Sequence, residues 1–336
     1  MHIDVTVLPD VRLSVLDLSP VESGSDAGAA LRNTIDLARN AERLGYHRYW
    51  VAEHHNMPGI ASSATAVLIG HVATATETIR VGSGGIMLPN HAPIIVAEQF
   101  GMLEAFHPGR IDLGIGRAPG TDQRTAIALR GSGAALSADA FPQQLTELMA
   151  YFEPEEGRAV RAVPAEGNKP PFWLLGSSGF SAQLAGMLGL PFAFAHHFSA
   201  ENTEPAVQLY RDSFRPSAVL DEPYVMLGAS VVCAETDEKA RWLAAPSGLS
   251  FLSLRRGRPI PLPTPQEAAD YPYTEMDEAF IAERMSSNIV GSPETVHKGL
   301  ERLVSDTGAD EVMVTTMVHG HADRVRSYEL VADLVR

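Results

Sequence analysis

Residues 109–120 read G-R-I-D-L-G-I-G-R-A-P-G, a short apolar strand that runs into a glycine-lined loop beginning with Arg117. An arginine at the end of a buried strand is suited to an anionic ligand, because its planar guanidinium group binds phosphate oxygens in pairs. In a chain this acidic, a surface salt bridge is the alternative. The stretch predicts a buried strand and makes its far end a candidate anion site.

Three other apolar stretches end in the same kind of polar tip: V-A-E-H-H at 51–55, V-G-S-G-G-I-M at 81–87 and L-L-G-S-S-G at 174–179. Strands and helices alternate early in the chain with a period of about 30 residues, which is typical of βαβ units and a parallel sheet. Strands are predicted at 12–18, 47–52, 79–88, 111–115, 172–175, 192–195, 224–232 and 311–316. This strand count predicts one α/β domain over residues 1–336, a (β/α)8 TIM barrel with its site at the C-terminal ends of the strands.

Two parts of the chain depart from this pattern. Residues 3–8 are strand-like and are interpreted as an N-terminal extension. Residues 245–284 contain R-R-G-R at 255–258 and prolines at 259, 261, 263 and 265, without helical periodicity. We expect this insertion before the last strand to be a long, mobile lid, and a plain surface insertion is the alternative.

Composition excludes several classes of protein. The net charge of −15 argues against nucleic-acid binding, which requires basic surfaces. The one cysteine, Cys233, lies in a strand-like stretch where core packing is expected, and it excludes an intramolecular disulfide. Neither a secretory signal nor a run of about 18 apolar residues is found, so we expect a cytoplasmic protein with no membrane partner.

Small residues mark two of the strand ends. Gly84 and Gly85 lie inside an apolar strand, where they either let a flat ligand approach the backbone or form a tight bend in the barrel. The loop 176–179, Gly-Ser-Ser-Gly, precedes a helix predicted at 181–188. Its N–H groups and hydroxyls form an anion site, or one serine simply caps the helix. Together with Arg117, this loop favours a phosphate group as the ligand.

Histidines occur in pairs after two strands, at 54–55 following Glu53 and at 196–197. A metal site is one interpretation of these residues. Adjacent side chains on a strand point to opposite faces, however, and no third ligand at a suitable spacing is evident, so no metal is predicted. A general acid or base beside an organic cofactor is favoured, and a structural histidine is the alternative at each position.

Four segments together resemble the luciferase-like monooxygenases, a flavin-dependent family that includes the bacterial luciferase subunits. They are G-Y-H-R-Y-W-V-A-E-H-H-N-M at 45–57, V-G-S-G-G-I-M-L-P-N-H-A-P at 81–93, P-G-R-I-D-L-G-I-G-R-A-P-G at 108–120 and W-L-L-G-S-S-G-F at 173–180. The resemblance covers nearly the whole chain and is greatest to the single-polypeptide branch that includes antibiotic-tailoring oxygenases. It implies a TIM barrel that binds reduced FMN at its C-terminal face, and a homodimer.

The resemblance also implies roles for individual residues. Gly84 and Gly85 match a pair joined by a cis peptide bond under the flavin ring, Arg117 matches a phosphate-binding arginine, and His54 matches a catalytic base. The cofactor-binding residues are then Glu53, Gly84, Gly85, Arg117, Gly176, Ser177, Ser178 and Gly179, and the substrate-binding candidates are His55, His91, His196 and His197.

Two positions depart from the luciferase pattern. Gly116 stands where luciferase has a reactive cysteine, and Gly176 replaces an acidic residue of the phosphate loop. The first departure removes any thiol from the site. Oxidation of aldehydes with light emission is therefore in doubt for this chain.

The resulting prediction is an FMN-dependent monooxygenase. A separate flavin reductase supplies the reduced FMN, O2 adds to it as a flavin C4a-peroxide, and oxygen passes to a small organic substrate in a closed cavity. The alternatives are an F420-dependent oxidoreductase of the same superfamily and a non-catalytic flavin-binding protein. The lack of an obvious basic patch for the F420 tail favours FMN, and the presence of His54 and Arg117 favours an enzyme.

Overall fold

The computed structural model describes residues 11–118, 120–130 and 140–335, so the strand predicted at 3–8 and Pro119 lie outside the described residues. The described strands are β1 Arg12–Asp17, β2 Arg48–Val51, β3 Arg80–Ser83, β4 Ile86–Met87, β5 Ile111–Gly116, β6 Phe172–Gly176, β7 Phe192–Phe194, β8 Val225–Cys233, β9 Ile289–Gly291 and β10 Glu311–Thr315. Every ladder between them is parallel.

The sheet closes into an eight-stranded barrel. Its order is β1, β2, β3, β5, β6, β7, β8 and β10, and β10 pairs with both β8 and β1 to complete the ring. The short β4 continues the line of β3 and pairs with the end of β5. The predicted TIM barrel and all eight of its strands are confirmed, with boundaries that differ by a few residues.

Helices cover the outside of the barrel. They are α1 Ala27–Arg43, α2 Thr65–Ala75, α3 Pro93–Phe106, α4 Gln123–Arg130, α5 Phe141–Tyr151, α6 Gly179–Leu188, α7 Thr203–Ser213, α8 Asp237–Arg255, α9 Pro265–Ala269, α10 Glu275–Arg284, α11 Pro293–Thr307 and α12 His321–Ala332. Local chemistry determines the ends of α1. The Asp26 carboxylate accepts the Ala29 N–H at 2.8 Å, and Gly45 takes a φ of +79° just beyond the helix.

Charged groups fill the lower end of the barrel interior. Arg48 donates to Asp112 at 2.8 Å and to Glu311 at 2.8 Å, and its guanidinium carbon lies 4.7 Å from the centroid of Trp173. An apolar layer lies above, formed mainly by Leu16, Trp50, Trp173, Met226 and Met313. Because these two layers occupy the interior, a ligand can be held only at the C-terminal end.

The insertion at 245–284 is not the long irregular loop that the sequence predicts. Its first residues belong to α8, which runs through Pro246, and α9 and α10 follow. Both short helices begin with capping boxes, at Thr264 and Thr274, which satisfy their first N–H groups. The link between α8 and α9 is also held to the barrel, since Leu262 exchanges backbone hydrogen bonds of 2.8 Å with Val21 and Ser23.

Two further details differ from the sequence prediction. The single strand expected at 79–88 is divided into β3 and β4 by a cis peptide bond between Gly84 and Gly85. The three-residue β9 was not predicted, and it pairs with Val231–Cys233 at the end of β8.

Candidate active site

The ends of β2, β4, β5, β6 and β7 bring the predicted site residues to the C-terminal mouth of the barrel. They form two groups. One group surrounds Glu53 and contains histidines, and the other joins Arg117 to the start of α6. The three tip sequences and Arg117, noted first in the sequence, are therefore neighbours on one face of the molecule.

Glu53 organises the first group from beneath. Its side chain is fully buried, and its carboxylate accepts hydrogen bonds from His55 Nε2 at 2.9 Å, His91 Nε2 at 2.9 Å, Asn90 Nδ2 at 3.1 Å and the Met87 N–H at 2.9 Å. A fully buried carboxylate with these four contacts orients the groups that are bonded to it. Glu53, which the sequence places among the cofactor-binding residues, is thus located under two substrate candidates.

The protonation of this group follows from its contacts. Burial alone would raise the pKa of Glu53, but the hydrogen bonds from His55 and His91 lower it to about 2, so the carboxylate is ionised at neutral pH. An ionised carboxylate can only accept, which requires a proton on Nε2 of both histidines. In a ring that carries only this proton, Nδ1 is left as the acceptor.

His54 differs from its two neighbours. Its Nδ1 atom is buried and has no hydrogen-bond partner among the described residues. Burial lowers the pKa of His54 more than the negative charge of Glu53 raises it, so the ring is neutral near pH 7. A buried polar atom without a partner is costly unless a ligand or water satisfies it, which makes His54 the candidate for direct contact with bound molecules.

The second histidine pair follows β7. His196 Nδ1 lies 2.8 Å from the Thr203 hydroxyl, and His197 Nδ1 donates to the Gly228 carbonyl at 2.8 Å. Burial lowers the pKa of His197 to about 4, and the nearby charges of Arg284 and His54 act in the same direction. The ring is therefore neutral and held in one tautomer, and His54 is close enough to affect it.

The second group brings a cation close to the start of a helix. The Arg117 guanidinium carbon lies 4.4 Å from the ring centroid of Phe180, a residue in the first turn of α6. Ser178 is the residue before that helix, but its side chain makes no capping hydrogen bond. The first N–H groups of α6 thus lack the serine cap that was the alternative interpretation of this loop, and they face the same region as a guanidinium.

The glycine pair lies between the two groups and is closely packed. A Cβ at Gly84 would come within 2.5 Å of the Leu16 side chain, and one at Gly85 within 2.8 Å of the Gly114 carbonyl oxygen. A larger residue at Gly85 would press on the backbone of β5, and one at Gly84 would press on the side chain of Leu16. The cis bond that the resemblance implies is present between these residues.

Sequence reasoning missed two contributors. Asn90 was part of a quoted segment but was assigned no role, although it binds Glu53. Arg284 was treated as part of a mobile insertion, yet its Nη1 donates to the His197 carbonyl at 2.9 Å. An arginine far from any strand end gives no pattern that places it at the mouth, and only the folded insertion brings it there.

Neither a metal-binding cluster nor a membrane-spanning helix occurs in the part of the chain that the structure describes. No group of three or more histidine, cysteine, aspartate or glutamate side chains in residues 11–118, 120–130 and 140–335 is arranged to hold a metal ion. Within the same ranges, no helix combines the length and the apolarity required to cross a bilayer.

Comparison with known proteins identifies the family. A model described as luciferase-like monooxygenase matches residues 11–311, and the chain belongs to this family of oxidoreductase enzymes. Uncharacterized protein YvbT of Bacillus subtilis is 58% identical over 97% of both chains. A luciferase-like monooxygenase of Escherichia coli is 46% identical over 96% of this chain and 97% of its own. The crystal structure of apo-MsnO8 is 39% identical, with a TM-score of 0.89 over 96% of this chain and 98% of its own.

More distant structures share the fold and carry two different cofactors. The oxygenating constituent of 3,6-diketocamphane monooxygenase from Pseudomonas putida, in complex with FMN, is 19% identical, with a TM-score of 0.72 over 97% of this chain and 98% of its own. An F420-dependent secondary alcohol dehydrogenase in complex with an F420-acetone adduct is 15% identical, with a TM-score of 0.71 over 97% of this chain and 99% of its own. At these identities the likeness extends to the fold alone.

Proposed function

We propose that this enzyme is an FMN-dependent monooxygenase that transfers an oxygen atom from O2 to a small organic substrate. Reduced FMN, supplied by a separate flavin reductase, provides the electrons that activate O2. The observation that carries this proposal is the pairing, on one face, of an uncapped helix start beside Arg117 with the unpartnered His54. The first suits a phosphate, and the second suits acid–base chemistry at the reacting end.

The residues present fit such a cofactor. The phosphate would meet Arg117, Ser177, Ser178 and the N–H groups of Gly179 and its neighbours at the start of α6. The backbone at Gly84 and Gly85 would support the flat ring, while the missing side chains leave room for Leu16 and the Gly114 carbonyl on the protein side. His54 would hold or move a proton beside the ring, since its neutral imidazole can accept one near pH 7.

The residues around the proposed flavin site would limit the access of water. The two buried layers close the barrel from below, and the insertion carrying α8, α9 and α10 stands beside the mouth. Exclusion of water would protect a reactive oxygenating species from hydrolysis and wasteful release of peroxide. His55 and His91, both oriented by Glu53, would present Nδ1 as an acceptor towards substrate.

F420 is the second candidate, because it is bound by one structure of the same fold. Its longer acidic tail would require cations beyond the phosphate group at Arg117. The net charge of −15 supports FMN instead. Titration with each cofactor separates the two: a protein that retains F420 and releases FMN would overturn the proposal.

The phosphate assignment is tested with Arg117→Ala. We expect FMN binding to weaken by about 2–3 kcal/mol, the usual range for one charge-assisted contact. Riboflavin, which has no phosphate, should lose much less. Flavin fluorescence titrations of parent and variant with both ligands provide the measurement, and Arg124→Ala, on the exposed side of α4, is the control. Equal losses for FMN and riboflavin would contradict a phosphate site at Arg117.

A further inference from the structure

Arg284 ends α10 and reaches the mouth of the barrel from the insertion. Its Nη1 donates to the carbonyl oxygen of His197, three residues beyond the end of β7. Two aromatic rings hold the group in place, since its guanidinium carbon lies 4.4 Å from the centroid of Phe251 and 5.6 Å from that of Phe198. The cation is thus fixed beside the histidines of the candidate active site.

Two nitrogen atoms of the Arg284 guanidinium group can still donate hydrogen bonds to a ligand. Its hydrogen bond to His197 uses Nη1 alone, and Nε and Nη2 donate to no described residue. These two nitrogens form one edge of the planar group, and that edge matches the two oxygens of a carboxylate. The contact with His197 orients the group without occupying this edge.

No acidic side chain neutralises Arg284. Within residues 11–118, 120–130 and 140–335 it forms no ion pair, and the acidic group that affects it, Glu201, is exposed and bonds to Ser199 and Asn202. Burial lowers the pKa of Arg284, which reflects the cost of keeping a partly desolvated cation without a counter-ion. Such a cost is offset when an anionic ligand supplies the missing charge.

We propose that Arg284 binds a carboxylate group of the substrate, so that the preferred substrates are organic acids with an apolar body. The rings of Phe198 and Phe251 supply apolar surface beside that charge, and Phe198 is 53% exposed. This inference rests on the proposed function for the identity of the site, but it concerns a different residue from the phosphate-binding Arg117. The two arginines come from different parts of the fold, since Arg117 directly follows β5, whereas Arg284 ends α10 and bonds to His197.

The experiment compares two small probes of equal shape, benzoate and benzamide. The FMN-loaded enzyme is titrated with each, binding is followed by the change in flavin absorbance, and calorimetry repeats the titration without flavin. The variants are Arg284→Gln, Arg284→Lys and the control Arg255→Gln, which lies in the same insertion and stacks on Phe280 at 4.2 Å. FMN affinity is measured for every variant.

We expect the parent to bind benzoate more tightly than benzamide. Arg284→Gln should weaken benzoate about 10- to 100-fold, as expected for loss of a charge-assisted pair of hydrogen bonds, and change benzamide less than about 2-fold. Arg284→Lys keeps the charge but cannot form the paired hydrogen bonds, so its affinity for benzoate should lie between those of the parent and Arg284→Gln. Arg255→Gln should bind both probes as the parent does.

Three results would overturn the inference. The first is equal binding of both probes by the parent, and the second is unchanged benzoate binding by Arg284→Gln. The third is a loss of FMN affinity in Arg284→Gln as large as its loss of benzoate affinity, which would place Arg284 at the cofactor. Failure of the parent to bind any flavin would instead overturn the proposed function. In that case, calorimetry on the flavin-free protein decides the role of Arg284 by the same comparison of probes.

Discussion

The ring of His54 is less constrained by hydrogen bonds than the rings of the neighbouring histidines. His55 and His91 are bound to Glu53 and His197 is bound to Gly228, whereas no described residue accepts or donates at His54 Nδ1. A neutral imidazole in this state can take or give a proton to a bound molecule without first breaking a protein contact.

We predict that His54→Ala separates chemistry from cofactor binding. FMN affinity should stay within about 1 kcal/mol, because no phosphate contact is removed. Substrate oxygenation should fall by roughly 100-fold or more, the usual contribution of a positioned acid–base group, with reduced flavin consumed mainly as hydrogen peroxide. Stopped-flow mixing with O2 and product yield measure both effects. A variant that oxygenates at the parent rate with unchanged coupling would transfer the role to His55, His91 or His196.

The ionisation of Glu53 makes the free energy of unfolding depend on pH. Its folded pKa of about 2 is depressed below the ordinary value of 4.5, so the ionised carboxylate stabilises the fold above about pH 4.5. This contribution, on the order of 3 kcal/mol, is lost as pH falls from about 4.5 towards 2. We predict that Glu53→Gln is less stable than the parent at pH 7 and that the difference shrinks as pH falls.

Urea denaturation at pH 7, 5 and 3 measures the effect. Glu155→Gln, which removes an exposed carboxylate from a surface ion pair with Arg158, is the control and should follow the parent at each pH. A stability difference between Glu53→Gln and the parent that stays constant over this range would show that Glu53 has no depressed pKa.

At the level of elements, packing between β4 and β5 explains why the luciferase cysteine is absent. A Cβ at Gly116 would come within 2.8 Å of the Met87 sulfur atom, and Met87 also donates its backbone N–H to Glu53. A cysteine at this position would therefore require the Met87 side chain to move. With glycine at 116, no thiol is available here.

The insertion combines helices with exposed links, and we predict that it is the ligand-sensitive part of the fold. Residues 255–258 are exposed and include three arginines, so trypsin should cut there readily in the free protein. Bound FMN and substrate should slow this cut, because the neighbouring α10 carries Arg284 to the mouth. Timed digestion followed by mass spectrometry gives the rate. If neither ligand changes the rate of cleavage at 255–258, the result would contradict a role of the insertion as a lid.

At the scale of the molecule, one outer face of the barrel is unusually apolar. On α3, Ile95, Met102 and Phe106 lie on one side at helical spacing, and Phe106 is 73% exposed. The adjacent α2 contains no charged residue and exposes Val67. Exposed apolar side chains on two adjacent helices favour contact with a second copy of the same surface, because that contact removes them from water.

We therefore propose a homodimer through α2 and α3 and predict that Phe106→Asp separates it. The parent should have twice the chain mass of 36.1 kDa in light scattering, and the variant should have the mass of one chain, because the buried charge would lack a partner. Met276→Asp, at a residue that is 79% exposed on α10, is the control and should remain a dimer. A parent that already runs as a single chain would contradict the dimer.

The sequence by itself determined the barrel, its eight strands and the glycine, serine, histidine and arginine tips, because period, turn residues and strand ends are local properties of the chain. It could not show that Glu53 is buried under His55 and His91, that Met87 closes the position beside Gly116, or that Arg284 meets His197 across the mouth. These relations join residues far apart in the chain. They depend on how closed strands and a folded insertion pack together, and only the tertiary structure decided them.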